Sequence, residues 1–158
     1  MPSAPGSRQF IDAPEGANSV SRWQEAFQRD FAARMDMCVR PPGKVNRAPV
    51  PVIDDDRSVR ILRRDLPAGG TVTLDAAKSA DPDGAALSFR WWVYREPGSY
   101  AGDIALDGAD GPRVRVRAPS PDASQTAHLI LEVTDAGDPP LSSYRRVVIQ
   151  VLRPAANR

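Results

Sequence analysis

Hydrophobic positions along this chain follow two periods, and the change between them falls near residue 50. Between residues 21 and 40, Trp23, Phe27, Phe31 and Met35 recur at four-residue steps with Ala26 and Cys38 beside them, the spacing of one face of a helix. "SRWQ" at 21–24 offers a capping box, Ser21 to the backbone N–H of Gln24 and Gln24 back to Ser21. Pro41-Pro42 ends the helical pattern. From residue 50 onward the pattern alternates with period two. Val59 and Ile61 alternate with charge, "TVTLD" pairs Val72 with Leu74, and "RVRVR" sets Val114 and Val116 between arginines. "HLILEV" aligns Leu129, Leu131 and Val133, and "YRRVVIQV" aligns Val147, Ile149 and Val151. Turn sequences separate these runs: "AGG", "DPDG", "DGADGP" and "DAGDPP". About seven short strands with such punctuation predict a mainly β, immunoglobulin-like antiparallel β-sandwich with an N-terminal α-helix. The organisation expected is a flexible N-terminus over 1–20, a helix over 21–40, a linker over 41–49 and the sandwich over 50–154.

One strand carries more information than the rest. "LSFRWWVY" at 87–94 holds two adjacent tryptophans in a chain that is 6% aromatic. Neighbouring side chains in a strand point to opposite faces, so the two cannot enter one core. Odd positions give Leu87, Phe89, Trp91 and Val93, all apolar; the other register would bury Arg90. Trp91 is therefore assigned to the core and Trp92, with Tyr94, to the outer face. The same parity places His128, Ile130 and Glu132 outward on the penultimate strand. On the last strand it places Tyr144, Arg146, Val148 and Gln150 outward. Trp92, Tyr94, His128, Glu132 and Arg146 then form a candidate binding face, in which rings stack on sugar C–H faces and polar groups meet hydroxyls. Two alternatives stand beside it: a protein interface of the same composition, and a face covered by the helix through Trp23, Phe27 and Phe31.

Composition removes several classes of function. With 21 basic and 20 acidic residues the net charge is +1, which gives no electrostatic footprint for nucleic acid or an anionic membrane. No apolar run approaches the ~20 residues of a membrane span, and "MPSAPGSRQF" lacks the apolar core of a secretory signal. One cysteine, Cys38, permits neither an internal disulfide nor a cysteine-rich zinc site. A catalytic constellation is also missing. His128 is the only histidine and lies in mid-strand, and Glu132 is four residues away, ~13 Å at strand rise. The chain is read as a non-enzyme. Calcium is the one cofactor the pattern raises: Asp81, Asp83, Asp135 and Asp138 sit on two loops expected at the same end of the sandwich. Against it, aspartates beside Pro and Gly also make Asx-turns.

Taken together, "SRWQEAFQRDFAARMDMCV", "NRAPV", "TLDAAKSADPDGAALSFRWWVY" and "AHLILEVTDAGDPPLSSYRRVVIQV" resemble the C-terminal part of a bacterial family. In that family a nucleoside-hydrolase-like domain precedes an immunoglobulin-like, cellulose-binding-protein C-terminal domain. The resemblance spans roughly residues 21–152. Met37 departs from it, standing where the family pattern carries a tryptophan, and so does Lys78, where a small residue is expected. The resemblance implies that 21–39 is the tail of a preceding hydrolase-like domain and that this chain is a fragment of a longer protein or the product of a split gene. The aspartate-rich, N-terminal calcium motif of nucleoside hydrolases has no counterpart in the chain. A non-catalytic accessory module is implied, whose partner is a plant polysaccharide such as cellulose or, alternatively, the hydrolase-like domain itself. A secreted or periplasmic setting is implied by the same likeness.

Overall fold

A computed structural model describes residues 21–41, 43–120 and 123–152. The segment 1–20, expected to be flexible, lies outside the described residues, as does the end of the sandwich beyond residue 152. A 3-10 turn over Ser21–Trp23 leads into helix α1, Gln24–Val39. Seven strands follow: β1 Leu62–Pro67, β2 Thr71–Asp75, β3 Leu87–Val93, β4 Ala105–Asp107, β5 Arg113–Arg117, β6 Gln125–Asp135 and β7 Ser142–Leu152. They form a four-stranded sheet in the order β1-β7-β6-β3 and a three-stranded sheet in the order β2-β5-β4. This is the two-layer immunoglobulin-like arrangement that the turn spacing predicts. Every pairing is antiparallel except β1 with β7, which run parallel.

The core lies between the sheets and is built by period-two alternation. Leu74, Val114 and Val116 from one sheet meet Trp91, Leu129, Leu131, Val133, Val147, Ile149 and Val151 from the other. Leu87, Phe89 and Val93 pack on its margin, so all four odd positions of β3 face inward as their parity requires. Trp91 is 2% exposed, and its polar edge is satisfied by the loop between β4 and β5. Its indole N–H donates to the Gly111 carbonyl at 3.1 Å, and its backbone N–H donates to the Ala109 carbonyl at 2.7 Å.

The first strand departs from its expected place. Val59 is 97% exposed and Ile61 is also exposed, while β1 begins at Leu62 and buries Leu62 and Leu66. The alternation at 59–61 belongs to a loop tied down by a buried base. Arg145, inward on β7, donates to the carbonyls of Asp56 and Arg60 and lies 3.6 Å from the Asp56 carboxylate. Strand β4 is only three residues long, runs into the "DGADGP" turn at Asp107, and corresponds to no alternating run in the sequence reading.

The segment expected to be a linker contains a latch. The Asn46 amide donates to Asp135 Oδ1 (2.9 Å) and to the Pro139 carbonyl (2.8 Å). Arg47 binds Asp83 through its backbone N–H and its guanidinium. Val50 exchanges backbone hydrogen bonds with Ala80. Residues 46–50 thus bridge the β2–β3 and β6–β7 loops.

Two tests follow from burial and from this latch. Leu131→Ala, at a site with 0% exposure, should lower stability by about 2–5 kcal/mol, whereas Val59→Ala should change it by no more than about 0.5 kcal/mol. Asn46→Ala should cost about 1–3 kcal/mol, because the buried Asp135 carboxylate loses a donor. A methyl group at Gly137 would occupy the space of the Asn46 amide, so Gly137→Ala should reproduce that loss. Denaturant midpoints of the four variants check all of this.

Candidate functional site

The outer face of the four-stranded sheet is organised in rows set by strand register. Arg90, Glu132 and Tyr144 align across β3, β6 and β7; Trp92, Ile130 and Arg146 form the next row. His128 aligns with Val148 and then with Arg63 of β1, and the Tyr94 backbone N–H donates to the His128 carbonyl (2.8 Å). Trp92, Tyr94, His128, Glu132 and Arg146 are therefore neighbours on one face, as parity predicts.

That face is roofed in part by the N-terminal segment. The Trp23 ring lies 5.4 Å from Trp92, 6.4 Å from Tyr94 and 4.8 Å from Tyr144, the last two edge-to-face. Trp92 and Tyr94 themselves meet edge-to-face at 5.8 Å. Arg22 adds its guanidinium 5.2 Å from the Trp92 ring centre and 5.4 Å from that of Tyr94, and it pairs with Glu96 at 2.5 Å. Each aromatic contact contributes about 0.5–1.5 kcal/mol, while the partly exposed Arg22–Glu96 pair adds no more than about 1 kcal/mol. Trp23 is thus the pin of the assembly. The four rings all keep partial exposure.

The helix does not use its aromatic stripe for this packing. Phe27, Phe31 and Met35 are exposed, at 69%, 56% and 48%. Ala33 is the buried residue, and Ala26, Arg29, Asp30 and Asp36, spaced three and four apart around it, are half-buried. With ~100° per residue, Ala33 points ~120° away from Phe27, so the helix turns small and polar groups inward once Trp23 is seated. The expected cover by Trp23, Phe27 and Phe31 is corrected to cover by Trp23 and Arg22. The start of the helix also differs from the capping-box expectation: Trp23, not Ser21, occupies the N-cap position, without a side-chain cap bond. The 3-10 turn moves the helix start two residues past Ser21, which removes the expected spacing.

Polar groups on the face are arranged in two sets. The Tyr144 hydroxyl donates to Glu132 Oε1 at 3.1 Å, and Arg90 lies 3.8 Å from the same carboxylate. Burial, with Glu132 alongside, pushes the Tyr144 phenol up to about 12, so it remains a donor. On the other side of the row, Arg146 donates to Nδ1 of His128, and its guanidinium lies 5.8 Å from the Tyr94 ring centre. An arginine is always a donor, so the neutral His128 carries its proton on Nε2. Burial first, then the charges of Arg146 and Arg63, hold the His128 pKa below 6.5.

Of the four aspartates proposed as calcium ligands, Asp81, Asp83 and Asp135 are engaged in separate contacts. Asp81 Oδ1 accepts the backbone N–H groups of Asp83 and Ala85, and Asp83 is bound by Arg47. Asp135 Oδ1 accepts from Asn46, Gly137 and Leu141, and Asp138 is exposed at a cis peptide bond to Pro139. Among the described residues no three His, Cys, Asp or Glu side chains stand together as a metal-ligand set. The acidic loops are joined by the Asn46–Arg47 latch, which draws the carboxylates into turns. Asn46 and Arg47 are the residues that sequence reasoning missed; "NRAPV" gave their position without their role.

The depressed pKa of His128 makes a prediction. Below about pH 6.5 the unfolded chain binds a proton that the folded one resists, so stability is full above that pH and falls below it. The melting temperature should drop between about pH 7.5 and pH 5.5, and His128→Gln should flatten that part of the profile.

Comparison with known proteins matches this architecture. Residues 71–151 match the family described as "Cellulose-binding protein Sde0182, C-terminal domain". A nucleoside hydrolase-related hypothetical protein from Saccharophagus degradans, associated with carbohydrate metabolism, shares 38% identity over 84% of this chain with a TM-score of 0.81. This chain covers 32% of that protein, about a third of its length. The PKD domain from KIAA 1837 protein aligns over 64% of this chain and 89% of its own at 19% identity and a TM-score of 0.44. The titin M3 domain aligns over 65% of this chain and 97% of its own, at 19% identity and a TM-score of 0.33. No curated protein matches. The chain belongs to the family of cellulose-binding protein Sde0182 C-terminal domains.

Proposed function

We propose that this chain is a non-catalytic accessory module that binds carbohydrate through the aromatic ridge on its four-stranded sheet. The observation that carries the reading is the cluster of four partly exposed rings, Trp23, Trp92, Tyr94 and Tyr144, bordered by Arg22, Glu96, Glu132 and Arg146. Rings with free edges stack on the C–H faces of pyranoses, and charged groups at their margin pair with hydroxyls. The family name and the carbohydrate association of the Saccharophagus degradans relative support the same ligand class. The relevant change from the sequence expectation is that the cover over Trp92 comes from Trp23 and Arg22 alone, and the Trp23 ring, itself partly exposed, becomes part of the ridge.

A specific observation favours a second reading, in which the module seats a nucleoside-hydrolase-like domain. Phe27, Phe31 and Met35 form an exposed apolar stripe on α1, and Val39 continues the exposed surface at its end. Such a stripe on a helix whose other side is already packed is a surface suited to a partner. The relative from Saccharophagus degradans is about three times as long as the region matched here.

Retention on insoluble cellulose and xylan separates the two readings. Carbohydrate binding predicts that the wild-type chain is retained and that Trp92→Ala weakens retention at least about tenfold, a loss of ~1.4 kcal/mol, while circular dichroism shows the fold intact. Absence of wild-type retention on any polysaccharide would overturn it. In the second reading, Phe27→Ser with Phe31→Ser weakens association with the hydrolase-like domain by at least about tenfold. The stability of the isolated chain should change by less than about 0.5 kcal/mol per exposed site.

A further inference from the structure

We infer that Arg146 and Arg63 form a carboxylate-binding subsite beside the aromatic ridge, and that the carbohydrate recognised there is acidic, a polysaccharide carrying uronate residues. The inference rests on the carbohydrate reading above and names its substrate class. It begins with an imbalance of charge on the outer face. Arg22 is paired with Glu96, Arg90 lies near Glu132, and the inward Arg145 lies near Asp56. Arg146 has no carboxylate partner among the described residues. Its guanidinium meets the His128 ring nitrogen and the Tyr94 ring, and among the described residues its buried Nε has no acceptor.

A half-buried guanidinium in this state is costly. Contact with one aromatic face at 5.8 Å returns about 0.5–1 kcal/mol, less than a desolvated, uncompensated charge requires. Arg63 lies on the adjoining strand. It aligns with Val148, two positions along β7 from Arg146 and on the same face, and its side chain has no carboxylate partner among the described residues either. His128 lies between them in register and senses both positive charges. Asp65, the next outward position on β1, aligns with Gln150 and makes no ion pair among the described residues. Two arginines without carboxylate partners thus flank a neutral histidine beside the Tyr94 ring, an arrangement that calls for an anion.

The shape of the donors selects the anion. A guanidinium presents parallel N–H groups that match a planar carboxylate in two bonds. The site adjoins rings suited to pyranose stacking, so the carboxylate is best placed as a substituent of a sugar in the same chain. Uronic acids have that construction; cellulose does not.

Isothermal titration of the folded chain with soluble polygalacturonate, its methyl ester and hydroxyethylcellulose tests the assignment. The free acid should bind at least about tenfold more tightly than the ester, and the advantage should shrink as salt rises toward ~1 M. Arg63→Gln, at an exposed position, should reduce the advantage without lowering the melting temperature, and Arg146→Gln should abolish it. Equal affinity for acid and ester would overturn the uronate assignment and leave the carbohydrate reading standing. An acid preference untouched by both variants would also overturn it, by moving the anion to another surface. No binding to any of the three, with no retention on cellulose or xylan, would remove both readings.

Discussion

The pairing of β6 with β7 is the interaction on which the other features depend. These are the two longest strands, eleven residues each, and their antiparallel register runs from Gln125–Val151 to Thr134–Ser142. Because side chains alternate, that one register sends Leu129, Leu131, Val133, Val147, Ile149 and Val151 into the core. It sends His128, Ile130, Glu132, Tyr144, Arg146 and Val148 to the opposite face. Adding β3 on one side and β1 on the other extends both sets. A slip of one residue would exchange core and candidate site completely, so stability and function are fixed by the same hydrogen-bond ladder.

Placement of the helix follows from a different economy. Outward-facing Ile130 and Val148 are 5% and 3% exposed although they lie outside the inter-sheet cluster, so this outer face is partly covered. Trp23 secures that segment through three ring contacts, and Ala33 allows close approach farther along. A small residue at the contact permits packing that Phe27 or Phe31 would hold apart. The large apolar groups consequently remain outside, where they constitute a second surface distinct from the ridge.

Charges divide in a similarly physical way. Where loops must be held, acids meet bases or amides: Asn46 with Asp135, Arg47 with Asp83, Arg113 with Asp75, Arg145 with Asp56, although Asp135 Oδ2 and Arg145 Nε stay buried without a partner. On the ridge the balance is incomplete, with Glu132 engaged by Tyr144 and Arg146 left to a ring and an imidazole. A site prepared for an external anion must leave such a group unpaired, because an internal carboxylate would occupy it first.

The alternation of "LSFRWWVY" was enough to divide its tryptophans, since burying Arg90 is far more costly than burying Phe89. The same parity placed Tyr94, His128, Glu132 and Arg146 with Trp92. Turn chemistry fixed five of the strands for the same local reasons. Beyond that, sequence patterns misled where they were short or one-dimensional. Val59 and Ile61 alternate like a strand, but a two-residue match carries no information about pairing, and the buried Arg145 holds that stretch as a loop. The four-residue stripe on α1 described a helix correctly but not its facing, because Trp23 and Ala33 together decide the rotation. The aspartates of the two loops carried no sign of which donors would reach them. Asn46 and Arg47 lie 89 and 36 residues from the carboxylates they bind, so only folding brings them together. Sequence by itself determined the layers and the face on which each side chain stands, since both follow from a local period. Tertiary structure decided which of those faces were roofed, latched or left with an unpaired charge, since each depends on contacts between distant segments.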